Sequence, residues 1–157
     1  MKTRTLAEDI GKGLLAGLAG TAAMTVSSTI EAKLRGRPFS TAPARAAAKA
    51  LGIKEFEDSM AQARFSNLVH WGYGTGWGVA RGVLRAFGFS PKLATPAHFG
   101  AVWGSALVAL PTLDVAPPVT MWAREDVAID VFHHLVYVAT TGLAYELLDR
   151  SGNRVEA

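Results

Sequence analysis

The chain has 157 residues, of which half are hydrophobic and 18% are charged, and it contains no cysteine. This length predicts one domain, and so much apolar surface excludes an intrinsically disordered protein. The absence of cysteine excludes a disulfide framework, a thiolate metal site and a cysteine nucleophile. The net charge of +3 is too small to favour nucleic acid as a partner.

Four runs of the chain carry no Asp, Glu, Lys or Arg: 13–30, 65–80, 93–113 and 131–145. At 1.5 Å per residue, the run 93–113 is about 31 Å long and matches a hydrocarbon core of about 30 Å. We therefore predict an all-α, four-helix transmembrane bundle that forms a single membrane domain. A repeat of His-x-x-Tyr followed by Thr-Gly, which begins at His70 and again at His134, would arrange the bundle as two parallel helical hairpins. Its predicted spans are 10–30, 66–88, 93–113 and 127–148. A soluble helical binding module with unusually apolar helices is the alternative, which the charged content keeps open.

Glycines recur at four-residue spacing on three of the predicted spans. In lipid, such steps let helix backbones approach closely, so we predict that they pack the bundle. They comprise Gly13 and Gly17 on the first span, Gly74, Gly78 and Gly82 on the second, and Gly100 and Gly104 on the third. In a water-soluble helix, each glycine would instead cost about 1 kcal/mol relative to alanine.

The connection 31–64 is rich in Arg, Lys and Ala and contains two prolines. Ser40 or Thr41 is placed to cap a short helix over 44–51. Farther along, apolar residues recur at three- and four-residue spacing between acidic ones: Ile53, Phe56 and Met60. That pattern predicts a short interfacial helix that lies on the bilayer or packs on the end of the bundle.

Four spans place both chain termini on one side of the membrane. Lys and Arg are divided eight to eight between the two sides, so the positive-inside rule gives no orientation. The loop over 111–126 is nearly free of Lys and Arg, which favours cytoplasmic termini. The expected partners are the lipid bilayer and either a second membrane protein or a second copy of the chain.

The predicted topology brings six polar side chains to the side of the membrane that carries the connection 31–64. They are Glu31, His70, Asp130, His133, His134 and Tyr137. On a helix, Asp130 is three and four residues from the two adjacent histidines and can reach either of them. His98 enters its span from the opposite side, so we expect that it does not share a site with His70.

This predicted polar cluster has three interpretations. In the first, Asp130 hydrogen-bonds a histidine and the polar groups only hold the helices together. In the second, imidazoles beside carboxylates change charge in mild acid and repack the helix ends. In the third, His70 and either His133 or His134 ligate a haem or a divalent metal through opposing nitrogens.

Arg81 shares one face of its predicted helix with His70 and Gly74, and it should therefore point along the bundle. Its predicted partner is Glu146, near the end of the fourth span. Extension of the Arg81 side chain to lipid phosphates is equally compatible with its position.

The sequence contains no recognised catalytic motif. It has no GxSxG, HExxH or P-loop pattern, and its glycine-rich stretch follows no predicted strand. We therefore predict a membrane protein without catalysis, whose polar cluster senses or buffers protons or contacts a partner.

The layout of the chain resembles that of small bacterial inner-membrane proteins of the YagU type. The likeness rests on the Gly/Ala-rich first span ending in Glu31, the basic connection with its prolines, the segment His70-Trp71-Gly72-Tyr73-Gly74 and the later His134-x-x-Tyr137. That family is associated with acid resistance. The resemblance therefore implies an inner-membrane location and favours the proton-responsive interpretation, and it transfers no catalytic residue.

Overall fold

A computed structural model describes the backbone of residues 5–155 and the side chains of residues 5–150. Within these residues the chain is all-α, as predicted, and has no strand. The helices are α1 (Leu6–Arg35), α2 (Ala42–Ala50), α3 (Ser59–Ala86), α4 (Pro91–Thr112) and α5 (Arg124–Val155), with a 3-10 turn at Val119–Met121. The short helix α2 is compatible with the one predicted between the first two long helices.

Local chemistry explains where the helices begin and end. Thr5 and Glu8 form a capping box at the start of α1, in which each side chain accepts a hydrogen bond from the backbone amide of the other residue. Gly36 ends α1 in the left-handed conformation at φ 63°, which glycine adopts without a steric penalty. Asp58 caps α3 by accepting from the Ala61 amide at 2.6 Å.

Three helices in the described part of the chain are long and apolar enough to cross a membrane: Leu6–Arg35, Pro91–Thr112 and Arg124–Arg150. The charge-free runs of the sequence predict four such spans, one more than these. α3 has sufficient length, at 28 residues. Its most apolar stretch falls short of those of the other three, because glycines, small polar residues and arginines interrupt it.

The long helices alternate in direction, and α1 packs extensively on both α3 and α5. The first turns of α1 lie against the last turns of α3, where Gly82 contacts the Asp9 backbone. Lys12 of α1 pairs with Asp149 near the end of α5. The main packing joins α1 to α3 and α5, and α4 lies at the side of this core. The arrangement as two parallel hairpins stays a prediction.

These contacts define two ends of the bundle. The terminal end holds the start of α1 and the end of α5. The connection end holds the end of α1, the start of α5, α2 and the loop 113–123. α2 contacts that loop directly, because Arg45 and Lys49 donate to the backbone carbonyls of Val115 and Asp114 at 2.8 and 3.1 Å.

The contact between α1 and α3 is largely made by backbone atoms. Gly13 and Gly17 lie so close to Gly78 that a Cβ on any of the three would overlap the opposite backbone, and Gly82 lies equally close to Asp9. No side chain separates the two helices along this line, which we call the glycine seam. Direct backbone contact of this kind is typical of helices that associate in lipid.

The other predicted packing glycines behave differently from one another. Gly74 continues the seam by packing against the Thr21 side chain. Gly100 and Gly104 on α4 face open space, with no atom of another described element near a Cβ placed there. The packing predicted for these two glycines is thus absent within residues 5–150, because this face of α4 points away from the other helices.

The distribution of side-chain size is also informative. Large apolar side chains are exposed on the outer faces of all four long helices, including Leu15, Val26, Leu68, Val108, Phe132 and Leu143. Several of the buried residues, by contrast, are small or polar, including Ala16, Thr21, Ala94 and Thr141. In water, such a fold would leave a large apolar surface uncovered.

The short helix predicted from Ile53 onward does not form. Residues 53–58 are not helical. Asp58 has the extended backbone of an N-cap, and α3 begins directly after it. Phe56 instead packs on Phe65 of α3, with 5.2 Å between the ring centroids.

Candidate functional site

The six residues predicted to form one polar cluster divide into four separate sets of contacts. The sets are Glu31 with His133, Asp130 with His134, His70 with Thr25, and Tyr137 with Gly74. Helical geometry explains the division. Successive residues on a helix point about 100° apart, so the adjacent histidines of α5 face different neighbours.

The His133 imidazole is buried between α1 and α5. Its Nδ1 lies 2.9 Å from the Ser27 hydroxyl, which itself donates to the Met24 carbonyl at 3.0 Å. Because the hydroxyl proton is used in that bond, Nδ1 of the neutral ring carries the proton and donates to Ser27. The second ring nitrogen, Nε2, faces the Glu31 carboxylate 3.6 Å away. In the described part of the chain, Nε2 has no hydrogen-bond partner.

Glu31 is an acceptor shared by several cations. Arg37, in the segment after α1, forms a salt bridge with it, and Arg35 lies 3.3 Å from the same carboxylate. Arg35 also pairs with the exposed Glu125 at the start of α5. Hydrogen bonding to Glu31 raises the pKa of Arg37 above its usual value. The carboxylate thus faces two permanent cations and one imidazole that can become a third.

Asp130 and His134 join α5 to α4 on a different face. Trp103 donates from Nε1 to the Asp130 carboxylate at 2.7 Å. His134 donates from Nδ1 to the Asp130 backbone carbonyl at 2.8 Å, and the Asp130 carboxylate lies 3.6 Å from the same nitrogen. Trp103 also stacks on Phe99, with 5.4 Å between centroids. This set fixes the orientation of α4.

His70 and Tyr137 bind neutral partners. The Thr25 hydroxyl donates to the Thr21 carbonyl at 2.7 Å, so Nε2 of His70, 2.7 Å from that hydroxyl, is the donor. Tyr137 donates to the Gly74 carbonyl at 2.6 Å. Both side chains therefore tie α3 to a neighbouring helix.

The geometry at these histidines bears on metal or haem ligation. Within residues 5–150, no group of three or more His, Asp or Glu side chains is placed to hold a metal ion. In the predicted ligand pair, His70 faces Thr25 on α1, whereas His134 is bonded to its own helix. The two rings have separate partners, and the structure does not join them in one site.

The terminal end holds a second set of charged side chains, of which the sequence predicts only the pair of Arg81 and Glu146. It gathers three acidic and three basic groups from α1, α3 and α5: Asp9, Lys12, Arg81, Arg85, Glu146 and Asp149. In the sequence, the sign of this set is the spacing of its acidic residues on α5. Glu146 and Asp149 lie within one turn of each other and can reach both neighbouring helices.

Arg81 occupies the centre of this terminal network. Its side chain is 1% exposed, and it donates to Glu146 at 3.1 Å and to the Thr95 hydroxyl at 3.0 Å. Its guanidinium carbon lies 5.8 Å from the centroid of the Tyr145 ring. Arg85 approaches the same Glu146 carboxylate at 3.5 Å. Two guanidinium groups therefore share one carboxylate.

Two further contacts join α1 to α5 at the terminal end. Tyr145 donates to Asp9 at 2.6 Å, and both side chains are almost completely buried. Lys12 pairs with Asp149 at 2.7 Å. The charges at this end are thus neutralised by contacts between helices.

His98 lies deeper in the bundle and is fully buried. It donates from Nε2 to the Trp77 carbonyl of α3 at 3.0 Å, and its ring centroid lies 5.7 Å from that of Tyr137. It therefore holds α4 against α3, and none of its described contacts is with His70.

No protein-family model, curated protein or solved structure matches the chain.

Proposed function

We propose that this is a multi-pass membrane protein whose four long helices cross the bilayer and whose connection end responds to protons. Three of the helices have the required length and apolar composition. α3 crosses as the fourth because its glycines lie on α1 and its Arg81 is shielded by the other helices. Polar residues are tolerated in a membrane helix when they face the bundle interior.

The position of the charges supports the membrane location. Along α1, no charged residue lies between Lys12 and Glu31. These residues are 19 positions apart, which corresponds to about 28 Å of helix and thus to the thickness of a hydrocarbon core. The two charged ends would then lie at the two membrane surfaces, with the exposed apolar side chains in lipid between them.

The proton response rests on one observation, the contact between the buried Nε2 of His133 and the Glu31 carboxylate. Imidazole takes up a proton in the mildly acidic range in which arginine and ionised carboxylates keep their charge. A proton on Nε2 gives Glu31 a third cationic partner, in competition with Arg37 and Arg35. Because Arg37 lies in the segment that leads to α2, proton uptake on α5 weakens the attachment of that segment.

The other histidines lack this arrangement. His70 and His98 already donate to fixed neutral acceptors, and His134 donates to the backbone of its own helix. Among the described residues, His133 is the histidine whose second ring nitrogen is buried, without a hydrogen bond, and directed at a carboxylate. It is therefore the residue on which the proposal depends.

A single fluorescent label tests the proton response. Because the chain has no cysteine, Ser40→Cys introduces one labelling site between Arg37 and α2. We expect the anisotropy of the label to fall between about pH 7.5 and about pH 5.5 in detergent-solubilised protein. His133→Gln should remove that change, and His134→Gln, the matched control on the adjacent residue, should keep it. A full response in His133→Gln would contradict the proposal.

Cell fractionation tests the membrane location separately. We expect the protein in the membrane pellet and in detergent extracts, because its exposed apolar surface is large. Recovery in the aqueous phase without detergent would establish the soluble alternative. The proposal extends to three further points: a bacterial inner membrane, cytoplasmic termini and a role in acid stress. The inner membrane and the role in acid stress are drawn from the resemblance to YagU-type proteins.

A further inference from the structure

A groove of about 520 Å³ runs between α1 and α5 at the connection end. Its lining is mainly apolar, with Arg35 and Glu31 at one side and four large side chains along its length: Ile30, Leu34, Ile129 and Phe132. The groove is wide open to the outside, and Ile30 and Phe132 are each more than half exposed. It lies beside the contact of Glu31 with His133.

The groove spans the boundary between apolar and charged sequence. The charge-free run of α1 ends at Ile30, and that of α5 begins at Val131. In the proposed membrane location, Ile30 and Phe132 therefore lie at the edge of the hydrocarbon core. Arg35, one turn farther along α1, lies at the depth of the lipid headgroups. An occupant of this groove must be apolar at one end and polar at the other.

The polar end carries a guanidinium group that an anion can reach, since the Arg35 side chain is 37% exposed. Arg35 and Arg37 share the Glu31 carboxylate, and Glu125 and Asp126 at the start of α5 complete the charge balance around them. The remaining partner of Arg35 is Glu125, whose side chain is 69% exposed. Ion pairs with such exposed groups are weak and readily exchanged. A phosphate can replace Glu125 because a guanidinium group binds phosphate oxygens with two parallel hydrogen bonds.

We propose that this groove binds one anionic phospholipid. An acyl chain lies along Ile30 and Phe132, and the phosphate accepts hydrogen bonds from Arg35 in place of Glu125. A free phosphate would leave the apolar wall of the groove uncovered. A phospholipid covers that wall with its acyl chain and also binds Arg35 through its phosphate. This inference rests on the proposed membrane location and does not require the titration of His133.

Native mass spectrometry of the detergent-solubilised protein, titrated with phosphatidylglycerol or phosphatidylcholine at constant neutral pH, tests the inference. We expect one phosphatidylglycerol to be retained more tightly than phosphatidylcholine. Arg35→Gln should weaken that binding about fivefold, the effect of about 1 kcal/mol per basic residue at a lipid surface. Glu125→Gln should strengthen phosphatidylglycerol binding, because this substitution removes the competing carboxylate. A general loss of structure cannot weaken binding in one variant and strengthen it in the other.

Two exposed charges near the same end provide matched controls. Arg64→Gln and Glu57→Gln remove charges of the same signs away from the groove, and we expect neither to change lipid retention. Equal weakening by Arg64→Gln, equal retention of the two lipids, or full displacement by inorganic phosphate would each overturn the inference. If lipid retention fails while the anisotropy response persists, the proton-responsive proposal stands without the lipid site.

Discussion

The terminal end and the connection end of the bundle both carry several charged side chains, but these are arranged in opposite ways. At the terminal end, Tyr145 binds Asp9, Lys12 binds Asp149, and each of these contacts links two helices. At the connection end, Glu31 pairs with one arginine of its own helix and one of the following segment, and its neighbour on α5 is the His133 imidazole. The ion pair that links α1 to α5 there, Arg35 with Glu125, is exposed.

This difference indicates a division of roles. Charges that are buried and neutralised between helices hold the helices in place, and removal of one partner leaves the other without compensation. A carboxylate beside an imidazole has two states that differ by one proton, and each state favours different partners. Under the proposed function, the terminal end is therefore the fixed part of the bundle and the connection end is the part that changes.

The largest effect should come from forcing the glycine seam apart. Gly78→Leu would place a side chain into the backbone of α1 at Gly13 and Gly17. We expect a loss of about 3 kcal/mol or more in unfolding free energy, because neither backbone can move aside without separating the terminal network. Thermal denaturation in detergent measures this loss.

Gly76→Ala is the matched control for that change. It lies two residues away on the same helix, where an added Cβ meets nothing within 4 Å. Its stability should equal or slightly exceed that of the wild type, because alanine favours a helix over glycine. Comparable destabilisation by the two substitutions would show that the seam has no special role.

A smaller effect is expected from Glu146→Gln. Arg81 and Arg85 would lose their shared counter-charge, and Arg81 is buried too deeply to regain water. We expect a loss of roughly 3 kcal/mol or somewhat less, part of which Arg81→Met in the same chain should restore. At the connection end, Glu125→Gln should leave the unfolding transition unchanged. Equal sensitivity at the two ends would remove the contrast between them.

The smallest effect is expected from Tyr145→Phe, which removes one hydrogen bond to Asp9 and leaves the ring in place. We expect a loss of about 1–2 kcal/mol, because the remaining carboxylate is buried. Tyr73→Phe is the control, since Tyr73 is about half exposed. Denaturant titration in mixed micelles resolves this difference; identical midpoints for both variants would argue against a stabilising role for the Asp9 contact.

Much of the helical architecture could be predicted from the sequence, because charge-free runs and glycine spacing report directly on long packed helices. The runs 13–30, 93–113 and 131–145 correspond to the apolar stretches of α1, α4 and α5. The run 65–80 lies in α3, but its composition is less apolar than its length suggests. Apolar length therefore identifies α1, α4 and α5 but not α3, because glycines and small polar residues lower the hydropathy of α3.

The contacts of the polar side chains could not be predicted from the sequence, because depth in the membrane and spacing along a helix do not determine which neighbour a residue faces. His133 and His134 are adjacent in sequence, yet one contacts α1 and the other stays with its own helix. Asp9 and Tyr145 are 136 positions apart and become partners only through the packing of α1 on α5. Gly100 illustrates the same limit, since its spacing matched the seam but its face of α4 points outward.

The glycine seam also limits how α1 can move against α3. Rotation of α1 about its own axis by about 100°, the angle between successive residues, would turn the Leu14 side chain into the space at Gly13 where only a hydrogen atom fits. The seam therefore opposes rotation of α1 against α3. In the proposed proton response, a change that begins at His133 would then stay at the connection end and would not reach the terminal end through rotation of α1.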